Sequence, residues 1–356
     1  MTDRYAAEDL IQSAAALYVA AGLDAEIARV VAEILVEADL LGYSTHGLQF
    51  MPAYLTALEA GKWTTSGQPD VVADSGAALR LDGRGLPGQW NVVRALDMAL
   101  ARCTAQGGEH PVVAVAIGKS QNISCLATYC RRAAEAGAMA LLVTSGPANA
   151  VVAPAGGRGP ALATSPIAAG IPAPDHPILF DTATSATTNR MIERTRREGG
   201  RLPYKALVDS DGNPTDDPEA IYTDPPGAIL PMGGMDTGHK GYAISILVEA
   251  LTSGLAGWGR APTNDGKPFG NNVFLQLIDP GAFSGADAFM AETGHLGASL
   301  RAVPPMAGTD AVRVPGDRAY ALLRDQTANG VDLHPEILPR MQPWFEKYGI
   351  AEPSPL

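Results

Sequence analysis

The chain reads as a mixed α/β protein, and three observations say so. Short apolar runs such as Val112–Ile117 and Ala140–Thr144 alternate with segments of helical periodicity. The connections between them are long and rich in turn formers, drawing on 39 Gly and 28 Pro in 356 residues. With 46% hydrophobic and 18% charged residues, the chain can bury a large core divided into two or three lobes.

The elements follow in order. Residues 6–20 and 25–41 read as two helices. In the second, Ile27, Val31, Ile34, Leu35 and Ala38 recur at helical spacing, and Gly22 and Asp24 supply the break and the N-cap. A third helix over Met51–Glu59 ends at Gly61. Ala78–Asp82 is then a strand, 90–106 a helix, Val112–Ile117 a buried strand, 124–137 a helix and Ala140–Thr144 a strand. Strands over 163–171 and Ile178–Phe180 precede a helix from about 186 to 198. Residues 202–229 form a turn-rich stretch, with a tight turn at Asp211–Pro214. Helices at 242–255, 296–302 and 316–330 and a strand at Phe274–Asp279 complete the reading.

Several function classes lack their parts. Gly83–Gly88 has the glycine spacing of a dinucleotide turn, but Pro87 sits inside it and no acidic residue follows on a second strand. Neither a phosphate-cradling Gly-Lys-Ser/Thr loop nor a nucleophile elbow is present. Formal net charge is −12, with no basic run longer than Arg131-Arg132 or Arg196-Arg197, which disfavours nucleic acid and anionic membranes as partners. Three cysteines, Cys103, Cys125 and Cys130, speak for a reducing compartment rather than a disulfide framework, and none has a zinc-type partner. The sequence opens on Met1-Thr2-Asp3-Arg4 and runs into a helix without an apolar signal core. Its longest apolar run, near Met139–Val143, is too short to span a bilayer. A cytoplasmic protein is expected.

Four segments carry chemistry. Gly42–Gly47 places His46, beside the Thr45 hydroxyl, on a turn straight after a helix. Imidazole exchanges a proton near neutral pH without a perturbed pKa. Phe180–Ser185 takes Asp181 out of an apolar strand into a hydroxyl-rich turn. That turn suits an anion at a helix start and equally suits an N-cap. Pro231–Tyr242 surrounds His239-Lys240 with four glycines at a helix entry, which lets backbone amides and a lysine charge approach a phosphate. His239 has no second ligand at metal spacing. Val314–Arg318 is another glycine turn opening a helix.

The order Ser44–Gly47, Asp181–Ser185, Pro231–Tyr242, Phe274–Pro280, Val314–Arg318 and Asn329–Val331 resembles the malate/L-lactate dehydrogenase family of non-Rossmann nicotinamide-dependent oxidoreductases. Its relatives include ureidoglycolate, sulfolactate and diketogulonate dehydrogenases and cyclic-imine reductases. The resemblance runs from about residue 5 to 335. It implies a three-lobed fold with a mostly antiparallel central sheet flanked by helices. Residues 1–75 would form a helical lobe completed by helices in 312–356. Residues 76–200 and 228–311 would form the dinucleotide lobe, and 201–227 part of a small third lobe. It also implies a homodimer using NAD or NADP. The family's catalytic histidine falls on His46, with Thr45 before it and Asp181 as the carboxylate that orients and charges the imidazole. The cofactor contacts fall on Ser120, on Ile178, Phe180, Thr182, Ala183 and Thr184, on His239 and Lys240, and on Gly316, Asp317 and Arg318. Phe50, Asn122 and Thr164 fall at the substrate end, and no metal is implied.

The implied reaction moves a hydride between nicotinamide and C2 of a 2-oxo or 2-hydroxy acid, with His46 as proton donor and acceptor. Reduction of cyclic or N-alkyl imino acids asks for the same donor. A dinucleotide-binding protein without turnover is the alternative of another class. The chain departs from the family pattern at three places. Phe50 stands four residues beyond His46, where an arginine is usual for gripping the substrate carboxylate. Asn122 and Ser124 stand where His and Gly are usual, and Ser165 where Asn is usual. Lys119, Arg190 and Arg194 are the candidates to replace the arginine.

Overall fold

A computed structural model describes residues 3–261 and 269–356. Met1 and Thr2 of the expected helical lobe and residues 262–268 of the expected dinucleotide lobe lie outside the described residues.

A short strand β1 (Arg4–Tyr5) leads into helices α1 (Ala7–Ala20), α2 (Ala25–Leu40) and α3 (Met51–Glu59). Asp24 caps α2, accepting from the amides of Glu26 and Ile27 at 2.9 and 3.4 Å. The stripe expected on α2 is buried: Ile27, Val31, Ile34, Leu35 and Ala38 are all enclosed. Each large aliphatic side chain buried this way contributes roughly 1.5–3 kcal/mol relative to exposure.

The chain then enters β2 (Asp70–Asp74), β3 (Ala78–Asp82), α4 (Gly88–Arg102), β4 (Val112–Ser120), α5 (Leu126–Glu135), β5 (Met139–Ser145), β6 (Ile167–Ile171), β7 (Ile178–Thr182) and α6 (Asn189–Arg197). A small sheet follows, made of β8 (Leu207–Val208), β9 (Pro214–Thr215) and β10 (Ala228–Ile229). Helix α7 (Gly234–Glu249), β11 (Asn271–Ile278), α8 (Ala286–Arg301), α9 (Asp317–Asn329), β12 (Val331–Asp332) and α10 (Ile337–Tyr348) complete the chain.

Among the described residues the central sheet has the order β2-β3-β4-β11-β5-β6-β7. Every neighbouring pair is antiparallel except β3 and β4. The mostly antiparallel, non-Rossmann sheet is therefore present. Side-chain alternation splits it into two faces. Val113, Val115, Ile117, Leu142 and Leu275 join the core under α4 and α5. Leu141, Val143 and Phe274 join Val248 of α7 on the other face. A separate core unites α1, α2 and α3 with Met341 and Phe345 of α10, and β1 pairs β12 at its edge.

The largest departures from expectation each have a physical reason. Helix α7 begins at Gly234 rather than 242, because the glycines that read as loop are carried into a helix with a kink at Thr237 (φ −125°, ψ 16°). Helix α8 spans 16 residues rather than the seven expected, since it buries only Thr293 and Gly297 and so carries little periodicity. Strand β2 was not expected. All five of its residues are exposed, so it shows no apolar alternation.

Candidate active site

The turn after α2 is held from below. Tyr43 N donates to Ala38 O at 2.8 Å, His46 N to Tyr43 O at 2.7 Å, and Leu48 N to the Asp39 carboxylate at 2.8 Å. Asp39 is only 3% exposed. Burial pushes its carboxyl up to about 8, against the lowering effects of the Leu48 amide and of Arg194. The His46 carbonyl accepts from Ser124 Oγ, which ties the turn to the start of α5.

This frame leaves the His46 imidazole half-buried with its two nitrogens differently employed. Nδ1 lies 2.9 Å from Thr45 Oγ1, and no described side chain bonds Nε2. When Nδ1 donates to Thr45, Nε2 is an acceptor and can act as a base; the imidazolium can return the proton. Burial and the nearby Arg190 charge hold the imidazole down to about 4. His46 lines a cavity of about 470 Å³ with Phe50, Asn122, Thr164, Arg190 and Glu193.

Asp181 does not meet His46 as expected. Its Oδ2 accepts from the amides of Leu126 and Ala127 at 2.7 and 3.2 Å and from Cys125 Sγ at 3.5 Å. The first turn of α5 therefore holds the carboxylate, and no hydrogen bond or ion pair joins it to the imidazole. Burial raises its pKa to about 6 although those donors favour the charge. The two residues share a smaller pocket with Tyr43, Asn122 and Thr164, so they face one space without touching.

Asn122 and Thr164 line both spaces, as expected of the substrate end. Asn122 Oδ1 accepts from Tyr54 Oη at 2.6 Å and from Ser124 N at 2.9 Å, while Gln89 Nε2 donates to Tyr54 Oη at 3.1 Å. With its carbonyl doubly engaged, the amide nitrogen of Asn122 is the group left for a ligand. Sequence reasoning missed Tyr54 and Gln89. Tyr54 sits at helical spacing from Phe50 and stacks on it at 5.2 Å, a pattern indistinguishable from core packing.

The expected cofactor residues are spread along β7. This is an edge strand, paired with β6 alone. Leu179 N donates outward to Pro315 O at 3.0 Å, and strand alternation aims the Asp181 amide the same way. Ile178, Phe180 and Thr182 share the face opposite α5, with Thr182 exposed, and Ala183 borders the His46 space. At the far end of β7, Gly316 has φ +105°, and a Cβ there would lie 3.0 Å from Leu179 N. Only glycine allows that close approach. A strand edge with the outward-facing Asp181 amide, a glycine turn at one end and a proton donor at the other fits an extended dinucleotide.

Five expected contacts are placed otherwise. Ser120 is fully buried with its hydroxyl accepting from Asn91 Nδ2 at 3.1 Å, so it does not face the cavity. Thr184 is also buried, its hydroxyl shared between Thr164 O and Ser245 Oγ, and it ties the turn internally. His239 and Lys240 are exposed on α7. His239 lines a separate cleft against residues 154–158. Asp317 is held by Arg301 and His176, whereas Arg318 is exposed.

The sequence profile of the malate/L-lactate dehydrogenase family matches residues 5–342. The chain belongs to that family. Membership makes it a nicotinamide-dependent oxidoreductase acting on CH–OH or C=N groups. It is 34% identical over 335 residues to an L-lactate dehydrogenase of Cupriavidus necator, covering 93% of each chain. It is 33% identical over 336 residues to a Delta(1)-pyrroline-2-carboxylate/Delta(1)-piperideine-2-carboxylate reductase of Pseudomonas syringae pv. tomato, covering 92% of each. Its fold superposes on the malate dehydrogenase of Entamoeba histolytica with a TM-score of 0.90 and 25% identity, covering 99% of this chain and 100% of the other.

Two departures from the family pattern now have a backbone account. Ser124 has φ +64° and Ser165 φ +40°, conformations in which the family's usual Gly and Asn are at ease. The third, Phe50, packs edge-on against the His46 ring with centroids 5.7 Å apart.

Proposed function

We propose that this chain moves a hydride between NAD(P)H and C2 of a 2-oxo/2-hydroxy acid, with His46 as general acid and base. The observation that carries this reading is the unpartnered Nε2 of His46 in a cavity that reaches the end of β7 at Ala183. A bound dinucleotide supplies or accepts the hydride at nicotinamide C4. The chain's own residues do the rest. His46 gives a proton to the carbonyl oxygen as the C=O electron pair moves onto it, Thr45 orients the ring through Nδ1, and the Asn122 amide nitrogen donates to the same oxygen. Asp181, across the shared space, acts on the imidazole charge when the site is loaded. Ile178, Phe180, Thr182 and Ala183, with Gly316 and Arg318, line the dinucleotide's path.

Cyclic or N-alkyl imino acids are the second reading, favoured by the 33% identity to a reductase of that class. Exposed Ile246 and Leu247 on α7 and Leu296 and Leu300 on α8 support a homodimer. The separate cores support the division into a helical lobe, a dinucleotide lobe and a small third lobe. The free thiols of Cys103, Cys125 and Cys130 support a reducing, cytoplasmic setting. Among the described residues no helix is long and apolar enough to cross a membrane, and no group of three metal-ligating side chains is found.

The test is loss of NADH or NADPH absorbance with a panel of 2-oxo and imino acids, run beside cofactor fluorescence. Turnover of any of them supports the reading and separates the two substrate classes. Cofactor binding with no turnover across the panel makes the chain a binding protein instead.

A further inference from the structure

The cavity at His46 holds a positive charge whose seat is unusual. Arg190, in the first turn of α6, lays its guanidinium over the Phe50 ring with Cζ 4.6 Å from the centroid. Phe50 itself is 6% exposed, stacked on Tyr54 and edge-on to His46, so it is a fixed shelf between the imidazole and the guanidinium. A ring face holds a guanidinium plane without using its N–H donors, which stay in the plane and open to a ligand. One of them bonds Glu193 at 2.7 Å, one helical turn along, and both side chains line the cavity.

The two other candidate cations are engaged elsewhere. Arg194 bonds Gln49 Oε1 and Ser44 Oγ behind the turn. Lys119 pairs with Asp82 at 3.2 Å and lies over Trp258. Neither lines the His46 cavity.

We propose that Arg190, seated on Phe50, is the group that grips the substrate carboxylate, and that Glu193 is the internal counter-ion this carboxylate displaces. The inference rests on the oxo-acid or imino-acid reading above and assigns the group that holds the carboxylate those substrates share. A carboxylate bound fork-to-fork by Arg190 takes over the guanidinium edge from Glu193. Its neighbouring carbonyl then lies toward His46 and Asn122. The arrangement also answers the charge problem of a chain with net charge −12, because the positive site is local and is neutralised when empty.

The test uses oxamate, an unreactive oxo-acid analogue, titrated into the protein with saturating reduced cofactor and read by cofactor fluorescence. Arg190→Gln is expected to weaken oxamate by at least about thirtyfold while changing cofactor affinity less than about twofold, the scale for losing a charge-assisted bidentate pair. Glu193→Gln is expected to tighten oxamate severalfold, because a competitor is gone. The neutral methyl ester of oxamate should bind the wild type and Arg190→Gln alike. Oxamate binding that Arg190→Gln leaves within threefold, or an equal loss for acid and ester, overturns the proposal, as does a wild type that ignores oxamate. Turnover of oxo or imino acids with a KM insensitive to Arg190 overturns this inference alone. No turnover of any of them overturns the reading beneath it.

Discussion

Asp39 lies directly beneath Gly47, so close that a methyl group on Gly47 would sit 2.3 Å from the Asp39 Cγ. The residue after the proposed proton donor is thus fixed by a buried carboxyl at the end of α2. The same carboxyl takes the Leu48 amide at 2.8 Å. Gly47→Ala must push the turn away from α2 and lengthen that bond. Overpacking of this kind costs about 1–3 kcal/mol, and displacing the imidazole costs activity beyond that. The expected outcome is a kcat at least about tenfold lower with cofactor affinity unchanged, read by steady-state kinetics and a fluorescence titration. Unchanged kcat means that the turn has room the geometry does not show.

His46→Gln removes the proton relay while keeping a polar side chain of similar reach. Turnover should fall by about 10²–10⁴, the scale of general acid–base catalysis, and cofactor binding should hold within a few-fold. Loss of both together assigns His46 a structural role.

Asp181 has two employments that one substitution separates. As the acceptor at the start of α5 it serves stability, and Asp181→Asn keeps one oxygen for the Leu126 amide. About 1 kcal/mol should be lost in a urea titration. As a charge facing His46 it serves the reaction. Its carboxyl, raised to about 6, carries charge only above that pH, so the kcat/KM of the variant should depart from that of the wild type above about pH 6 and match it below. A stability loss with an unmoved profile confines Asp181 to the helix start.

How far these roles were legible depends on what each residue contacts. His46 stood out because a lone imidazole on a polar turn after a helix is visible in one dimension, and α2 was readable because its apolar stripe is complete. The carboxylate of Asp181 read equally as a cap of the helix that follows it and as a site group; Thr188 caps that helix, and the amides at the start of α5, remote in sequence, claim Asp181 Oδ2. Arg190 could be named only as one of three cations, since nothing local distinguishes a guanidinium over Phe50 from one bound to Gln49. Ser120 shows the converse. Its position suits a cofactor contact, but the hydrogen bond from Asn91 that buries it comes from another element.

Ser124 carries an opposed pair of effects. Its φ of +64° costs about 1–2 kcal/mol for an L-residue, and its hydroxyl bond to the His46 carbonyl returns about 0.5–1.5 kcal/mol. Ser124→Gly relieves the strain and loses the bond, so its stability should match the wild type within about 1 kcal/mol. Ser124→Ala keeps the strain and loses the bond, so it should be about 1 kcal/mol less stable than the glycine variant. Equal stabilities of the two variants in urea contradict the strain argument.

A carboxylate docked on Arg190 cancels the charge that, after burial, holds His46 down at about 4. The imidazole pKa then rises toward its ordinary value, and the complex takes up a proton where the free site is neutral. Asp181, its carboxyl already raised to about 6, also faces the space, and an added anion raises its affinity for protons in the same direction. The sign is therefore uptake for every group, in a window from about 4 to the ordinary histidine value near 6.5. Titrating oxamate calorimetrically at a pH inside that window, in two buffers of different ionisation enthalpy, gives the number of protons bound. His46→Gln removes the imidazole share, which near pH 5 should be the larger part, because the Asp181 carboxyl at about 6 is already mostly protonated there. Net proton release, or uptake undiminished in His46→Gln, breaks the link between the carboxylate seat and the proton donor.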